Sequence, residues 1–263
     1  SISPDGKVVA IGAPGNDSAG SSSASGHVRV YENNNGTWIQ IGNDIDGDFW
    51  QDYSGNSLSL SSDGSIIAIG SKYVDGNDNE SGHVRVYENN NGTWQQIGTD
   101  ISGAAQSDYS GTSVSLSSDG SILAIGAPGN DDNGTDSGHV RIYQNNYGTW
   151  DQIGIDIDGE REGDQSGGSV SLSSDGSIVA IGATGNDDNG IVSGHVRIYQ
   201  NNYGTWEQIG NDINGKAIRD FSGSSVSLSA DGSLVAIGAI QNDNYRTGIG
   251  YVSVYKNISE NWV

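Results

Sequence analysis

Residues 109–128 read YSGTSVSLSSDGSILAIGAP, followed by GHVRIYQ at 138–144 and GTWDQIG at 148–154. The segment from Ser113 to Ser117 alternates small polar and apolar residues, which predicts a strand with one apolar face. Ile122 to Ile125 is a continuous apolar run, typical of a strand covered on both faces. The two later segments predict a third and a fourth strand, so the stretch predicts an antiparallel four-stranded meander.

The connection between the first two predicted strands is Asp119-Gly120. This pair predicts a two-residue hairpin turn, because such a turn needs positive φ and glycine adopts it without a steric penalty. No segment of the chain shows helical periodicity with capping residues. The sequence therefore predicts an all-β protein.

The same pattern recurs five times along the chain. Tryptophan recurs every 56 residues, at Trp38, Trp94, Trp150, Trp206 and Trp262. A single meander leaves apolar surface uncovered and is marginally stable, whereas stacked copies bury that surface. We therefore predict a β-propeller of about five four-stranded blades, with an open linear stack as the alternative. One repeat domain over 1–263 is expected, with units at about 1–52, 53–108, 109–164, 165–220 and 221–263; a larger ring or array stays open.

Composition narrows the function. The 263 residues include 33 acidic and 11 basic ones, for a formal net charge of −22. Binding to nucleic acid or to an anionic membrane requires clustered lysine and arginine, so neither partner is expected. The chain has no cysteine, which excludes disulfides, thiol catalysis and cysteine–zinc sites. No apolar run is long enough to suggest insertion into a membrane.

The quoted segments resemble the FG-GAP repeat. Tyr53, Tyr109 and Phe221, each followed by Ser-Gly, stand where that family has Phe-Gly. Gly-Ala-Pro is intact at 12–14 and 126–128 and is degraded at 70–72, 182–184 and 238–240. The resemblance implies a propeller, usually seven-bladed, in extracellular adhesion or recognition proteins. The calcium loop that integrin-type repeats carry between their first two strands is replaced here by Ser-Asp-Gly-Ser, which is too short to wrap a cation. Calcium binding at that family position is therefore not expected.

Four histidines occupy one strand position per repeat, at His27, His83, His139 and His195. Because they are spread over the repeats, we expect structural roles for them rather than a shared catalytic or metal centre. An arginine follows each of them two residues later, and we expect it to pair with the aspartate that recurs at Asp44, Asp100, Asp156 and Asp212.

Acidic segments are the better candidates for binding. The loops after the second strand of two repeats offer carboxylate and amide oxygens, which Ca²⁺ prefers, although the same residues dominate ordinary turns. We predict binding residues at Asn130, Asp131, Asp132, Asn133, Asn186, Asp187, Asp188 and Asn189. We predict metal ligands between units at Asp44, Asp46, Asp48, Asp52, Asp156, Asp158 and Glu160. Calcium is an optional ion here, and no cofactor is expected to be required.

Other signals are weaker. Sequons that could carry glycans lie at Asn16, Asn35, Asn79, Asn91, Asn133 and Asn257, although Asn-Gly is also favoured by turns. Trp50 and Tyr245 break the repeat and could belong to a ligand surface, although lone loop aromatics more often serve local packing.

These observations lead to one expected function and several alternatives. No nucleophile motif, phosphate-cradling loop or distinctively spaced acid pair is present, so we expect no enzyme and no catalytic residues. We expect an extracellular or cell-surface propeller for adhesion, recognition or assembly, with a protein or glycan ligand or copies of itself as partner. The alternatives are a carbohydrate-binding propeller, a structural module of a filament or surface layer, and a glycan-processing enzyme.

Overall fold

A computed structural model describes residues 1–17, 24–48, 50–73, 80–240 and 249–263. Every regular element in these ranges is a strand. They accordingly contain no helix of the length and hydropathy that crossing a bilayer would need.

The strands form five antiparallel sheets in chain order. The first sheet contains β1 (Val8–Ala13), β2 (His27–Asn34), β3 (Thr37–Gln40) and β4 (Ile45–Asp46). The second contains β5 (Ser57–Leu60), β6 (Ile66–Ser71), β7 (His83–Asn90), β8 (Thr93–Gln96) and β9 (Ile101–Ser102). The third contains β10 (Ser113–Leu116), β11 (Ile122–Ala127), β12 (His139–Asn146), β13 (Thr149–Gln152) and β14 (Ile157–Asp158). The fourth contains β15 (Ser166–Leu172), β16 (Ile178–Ala183), β17 (His195–Asn202), β18 (Thr205–Gln208) and β19 (Ile213–Asn214). The fifth contains β20 (Ser222–Leu228), β21 (Leu234–Ala239), β22 (Tyr251–Ile258) and β23 (Asn261–Trp262).

The predicted all-β fold with five meander repeats is confirmed. Each of the first four repeats also has a short strand that the sequence reading placed in a linker. In the third repeat this is β14, where Ile157 lies opposite Val140 and Asp158 lies opposite His139. Ile157 is buried, so it anchors the strand while the acidic residues on either side stay near the sheet edge.

The hairpin at Asp119-Gly120 is longer than the predicted two-residue turn. The backbone N–H of Ser117 donates to the Ile122 carbonyl, so four residues form the loop. Of the Asp-Gly pair only Gly120 has positive φ, at 72°. The Asp119 carboxylate closes the loop by accepting hydrogen bonds from the hydroxyls of Ser117 and Ser121 and from the Ser121 backbone N–H.

The chain divides into two compact units. The first comprises Ser1–Leu123 and Tyr143–Asp151, and the second comprises Ala124–Ile142 and Gln152–Val263. A buried cluster in the first unit joins the first two sheets and contains Val8, Ala10, Val28, Val30, Ile45, Ile67 and Ile69. A matching cluster in the second unit joins the last two sheets and contains Ala180, Val196, Ile198, Ile209, Ile213, Val235 and Ile237. In both units the core therefore lies between consecutive sheets.

Polar contacts fix the distance between neighbouring repeats. Four of the recurring tryptophans donate their indole N–H to a backbone carbonyl 53 residues earlier, as Trp206 Nε1 does to Ile153 O at 3.0 Å. The sheets also approach so closely that a Cβ at Gly182 would collide with the Gly223 carbonyl oxygen. This close approach explains why Gly recurs at the end of each second strand.

The fifth sheet has an uncovered apolar face. Val252 and Val254 on β22 are 71% and 65% exposed. The residues one repeat earlier, Val196 and Ile198, are 0% and 2% exposed because the next sheet lies against them. The apolar positions are thus the same in the two repeats, and the presence of a following sheet determines whether they are buried.

The indole hydrogen bonds provide a test of this coupling. We expect Trp206→Phe to lower the free energy of unfolding by about 1 kcal/mol, because the Ile153 carbonyl loses its donor while most of the ring packing is kept. Trp38→Phe is the matched control, since within the described residues Trp38 makes no such bond and it is 44% exposed. Urea unfolding followed by circular dichroism measures both changes. Equal losses in the two variants would contradict a role for the bond.

Candidate functional site

A histidine and an arginine stand two residues apart on the third long strand of the first four repeats, and in three of them the arginine binds an aspartate. The Nη2 to Oδ2 distances are 2.8 Å for Arg29–Asp44, 2.9 Å for Arg85–Asp100 and 2.7 Å for Arg141–Asp156. The predicted pairing is confirmed in these repeats. The hydrogen bond from Arg29 holds the pKa of Asp44 at about 2.

The fourth repeat departs from this arrangement, so the predicted Arg197–Asp212 pair is wrong. Arg197 Nη2 donates to the Asp158 backbone carbonyl at 2.7 Å, and its Nη1 lies 3.6 Å from Glu160 Oε1. Glu160 belongs to the preceding repeat and draws the guanidinium away from Asp212. Asp212 instead accepts a hydrogen bond from Gln208 Nε2 at 2.6 Å.

Three of the histidines stand among carboxylates. In each cluster the nitrogen and oxygen atoms that could bind a metal lie within 4.8 Å of one another. The clusters are His27 with Asp44 and Asp46; His139 with Asp132, Asp156 and Asp158; and His195 with Glu160, Asp188 and Asp212. The sequence reading treated the histidines, the loops and the linkers as separate features, whereas the fold brings them together within each repeat.

Strand pairing produces this convergence. In the fourth repeat His195 begins β17, Asp188 lies in the loop before that strand, and Asp212 immediately precedes the short strand β19. β19 pairs with the start of β17, with Asn214 opposite His195. Residues far apart in sequence therefore meet at one end of the sheet.

Most of the predicted loop residues stabilise their own loops. Asn130 Oδ1 accepts the Asp132 backbone N–H at 3.0 Å, and Asp131 Oδ1 accepts that of Asp136 at 2.8 Å. The corresponding loop of the fourth repeat has the same bonds, to Asn186 from Asp188 and to Asp187 from Val192. The amides of Asn133 and Asn189 instead donate to backbone carbonyls just after the short strand of the same repeat, at Gly159 and Gly215. Asp132 and Asp188 are the two loop residues that reach a histidine cluster.

The remaining predicted metal ligands lie elsewhere. Asp52 is fully buried and its Oδ2 accepts the backbone N–H of Asp48 at 2.8 Å, which stabilises a turn. The Asp48 carboxylate lies 2.8 Å from Arg85 of the next repeat. Neither residue belongs to a histidine cluster. Binding of Ca²⁺ by the predicted ligands stays a prediction.

Among the described sequons, Asn35, Asn91 and Asn133 lie on turns, whereas Asn257 lies within β22. Asn35 and Asn91 both have φ of 52° at hairpin positions, which explains an asparagine there without a glycan. The Asn133 amide donates to the carbonyls of Gly159 and Glu160. Asn79 and Tyr245 lie outside the described residues. Glycosylation of the sequons stays a prediction.

Burial shifts the pKa of two of the recurring histidines and of two acids in the clusters. It lowers the pKa of His83 to about 4 and lowers that of His195, so both imidazoles are neutral at neutral pH. Burial also raises the pKa of Asp158 and Glu160, with neighbouring carboxylates adding to the effect. These acids have lost solvation without gaining a fully compensating cation.

A second candidate site is an open cleft of about 820 Å³ in the first unit. Its lining includes the rings of Trp50, Tyr53 and Tyr73 and the polar side chains of Gln51, Asn56, Lys72, Glu80 and Gln106. Tyr73 contacts Tyr53 and Tyr109 edge-on, with ring centroids 5.2 Å and 5.7 Å apart. Glu80 accepts the Tyr109 hydroxyl at 3.1 Å. The Tyr53 and Tyr73 rings are therefore held by each other and by Tyr109 beside hydrogen-bonding groups, while the Trp50 side chain is 66% exposed.

Sequence reasoning noted Trp50 but missed Lys72 and Tyr73. A signal for them was present, because the third repeat reads Ala-Pro-Gly at 127–129 and the second reads Ser-Lys-Tyr at 71–73. The sequence reading treated this as a degraded motif. The structure shows that the departure places a tyrosine between the recurring aromatic residues Tyr53 and Tyr109.

Comparison with solved structures shows the class of fold. A periplasmic gluconolactonase of Pseudomonas aeruginosa is 18% identical with a TM-score of 0.62, over 97% of this chain and 66% of that one. A putative 6-phosphogluconolactonase of Bacteroides uniformis is 13% identical with a TM-score of 0.56, over 100% and 82%. Sqt1 of Chaetomium thermophilum, bound to the N-terminus of ribosomal protein L10, is 15% identical with a TM-score of 0.58, over 99% and 59%. The fold is that of the β-propellers, and this chain spans just under two thirds of the first structure.

Residues 101–143 match the family model of the FG-GAP repeat. This segment therefore carries an FG-GAP repeat, and the resemblance seen in the sequence is confirmed there. No curated protein matches the sequence significantly.

The prediction that the chain is not an enzyme is corrected by these comparisons. Two of the similar propellers are a gluconolactonase and a putative 6-phosphogluconolactonase, so proteins with this fold include enzymes. At 13–18% identity the similarity shows the fold and assigns no catalytic residue.

The lowered pKa of His83 predicts pH-dependent stability. The unfolded chain takes up this proton near pH 6.5 and the folded chain only near pH 4. Between these values the unfolded state binds more protons, so the free energy of unfolding falls as pH falls, by about 3 kcal/mol at pH 4. Urea unfolding at a series of pH values measures the slope. His83→Asn should flatten it over this window, and an unchanged slope in that variant would assign the effect to other groups.

Proposed function

We propose that this propeller is a recognition module that binds a neutral carbohydrate in the cleft lined by Trp50 and Tyr73. The observation that carries the proposal is the combination of fixed aromatic rings with amide and carboxylate side chains in one open cleft. An aromatic face stacks on the C–H face of a sugar ring, and the surrounding polar groups hydrogen-bond its hydroxyls.

Charge narrows the ligand class. The chain has a formal net charge of −22, which repels polyanionic glycans at long range. Within the cleft, Lys72 lies 4.7 Å from the centroid of Tyr73, and Glu80 is the acidic lining residue. Because the lining has one positively and one negatively charged side chain, it favours an uncharged saccharide.

The proposed setting is outside the cytoplasm, at a cell surface or in the periplasm. It is supported by the FG-GAP repeat match and by the periplasmic gluconolactonase among similar folds. Adhesion or recognition through a surface glycan is consistent with both.

Glycan-array screening followed by calorimetry tests the proposal. We expect Trp50→Ala and Tyr73→Ala each to weaken saccharide binding by about tenfold or more. The reason is that stacking of a ligand ring on an aromatic side chain contributes roughly 1–3 kcal/mol, the range known for nucleic-acid bases. Tyr203→Ala is the matched control, since Tyr203 is fully exposed and lies outside the cleft. No glycan binding, or binding that survives both cleft substitutions, would sink the proposal.

The same preparation should be incubated with D-glucono-1,5-lactone. Ring opening above the uncatalysed rate, lost in a cleft variant, would make the bound saccharide a substrate rather than a ligand.

A further inference from the structure

We infer that Glu160, Asp188, His195 and Asp212 form a site for a divalent first-row transition-metal ion such as Zn²⁺ in the fourth repeat. Their candidate ligand atoms lie within 4.8 Å of one another. A tetrahedral Zn²⁺ site would place such atoms about 3.3 Å apart, so side-chain movements of about 1 Å would complete the site.

His195 separates this cluster from an ordinary group of surface acids. Its side chain is 0% exposed, and among the described residues neither Nδ1 nor Nε2 has a hydrogen-bond partner. Nδ1 lies 3.9 Å from Asp212 Oδ2, on the side where the carboxylates gather. A buried imidazole without partners is costly unless something absent from the protein chain completes it.

Arginine placement supports the fourth repeat over the others. In the first three repeats an arginine holds the recurring aspartate at 2.7–2.9 Å. In the fourth, Arg197 bonds the Asp158 carbonyl, and Asp212 faces the histidine without an arginine. The Asp212 oxygen nearest to His195 is therefore available as a ligand.

The donor set selects the kind of metal. The three carboxylates carry three negative charges. Arg161, which bonds Asp188 at 2.6 Å, and Arg197, which lies near Glu160, offset two of them, so one net negative charge remains. Calcium and magnesium take oxygen ligands, whereas an imidazole nitrogen suits zinc and its neighbours in the transition series. This inference concerns a different ion and a different residue set from the calcium sites expected from the sequence.

A bound ion would link two repeats. Glu160 follows the last strand of the third repeat, while the other three ligands belong to the fourth. Binding would stabilise the folded second unit, because the ligands come together only when the two sheets are packed.

Isothermal calorimetry with Zn²⁺ and untagged protein tests the inference. We expect one site whose affinity falls on the order of 100-fold in His195→Asn and in Asp212→Asn, as for the loss of a direct ligand. Glu160→Gln serves as a conservative third variant that perturbs the fold least. His83→Asn is the matched control, because Asp48 and Asp100 beside it are both held by Arg85.

A thermal melt with Zn²⁺ and then with excess chelator gives a second readout. The wild type should melt at a higher temperature with Zn²⁺, and His195→Asn should show no such shift. Absence of Zn²⁺ binding, or binding unchanged in both His195→Asn and Asp212→Asn, would overturn the inference. Binding of Ca²⁺ alone, independent of His195, would overturn it as well.

Discussion

Val196 and Ile198 lie on the third long strand of the fourth repeat, under the sheet of the fifth, and both are almost completely buried. Each sheet is too small to cover its own apolar residues, so the free energy of burial is gained only when consecutive repeats pack together. At about 25 cal/mol per Å² of apolar surface removed from water, packing between consecutive sheets contributes more to the free energy of unfolding than any single hydrogen bond between repeats. The recurring glycines and indole bonds then determine how closely the sheets approach.

This constraint explains why the fold could be predicted from the sequence. The 56-residue period is visible in the tryptophans, and apolar alternation marks the strands between them. The short strand at Ile157 could not be foreseen, because two residues carry no periodic signal and the flanking aspartates resemble a linker. The loop of the hairpin at Gly120 was predicted to be too short for a similar reason. The serine side chains that extend the loop act through Asp119, and a rule based on the Asp-Gly dipeptide alone does not include them.

The candidate sites were harder to predict, since they depend on contacts between different parts of a repeat. Asp188 and Glu160 were singled out for their acidity alone, while His195 was assigned to structure because its position recurs. The strand pairing that brings His195 beside β19 and the acidic loop was needed to connect them. In the cleft, Tyr73 was missed because it sits in a segment read as a weakened copy of a motif.

Differences between repeats therefore carry more functional information than their common pattern does. The position after each short strand holds Asp48 in the first repeat, Glu160 in the third and Lys216 in the fourth. Asp48 and Glu160 face an arginine of the following repeat, whereas Lys216 lies 4.5 Å from the ring of Tyr251, and Tyr251 and Ser253 stand where the other repeats have histidine and arginine. Tyr251 in turn donates to buried Asp220 at 2.7 Å. These side chains thus differ with the repeat that follows them, so neighbouring repeats are not interchangeable, and a chemically distinct site can arise in one repeat while the apolar core between consecutive sheets is kept.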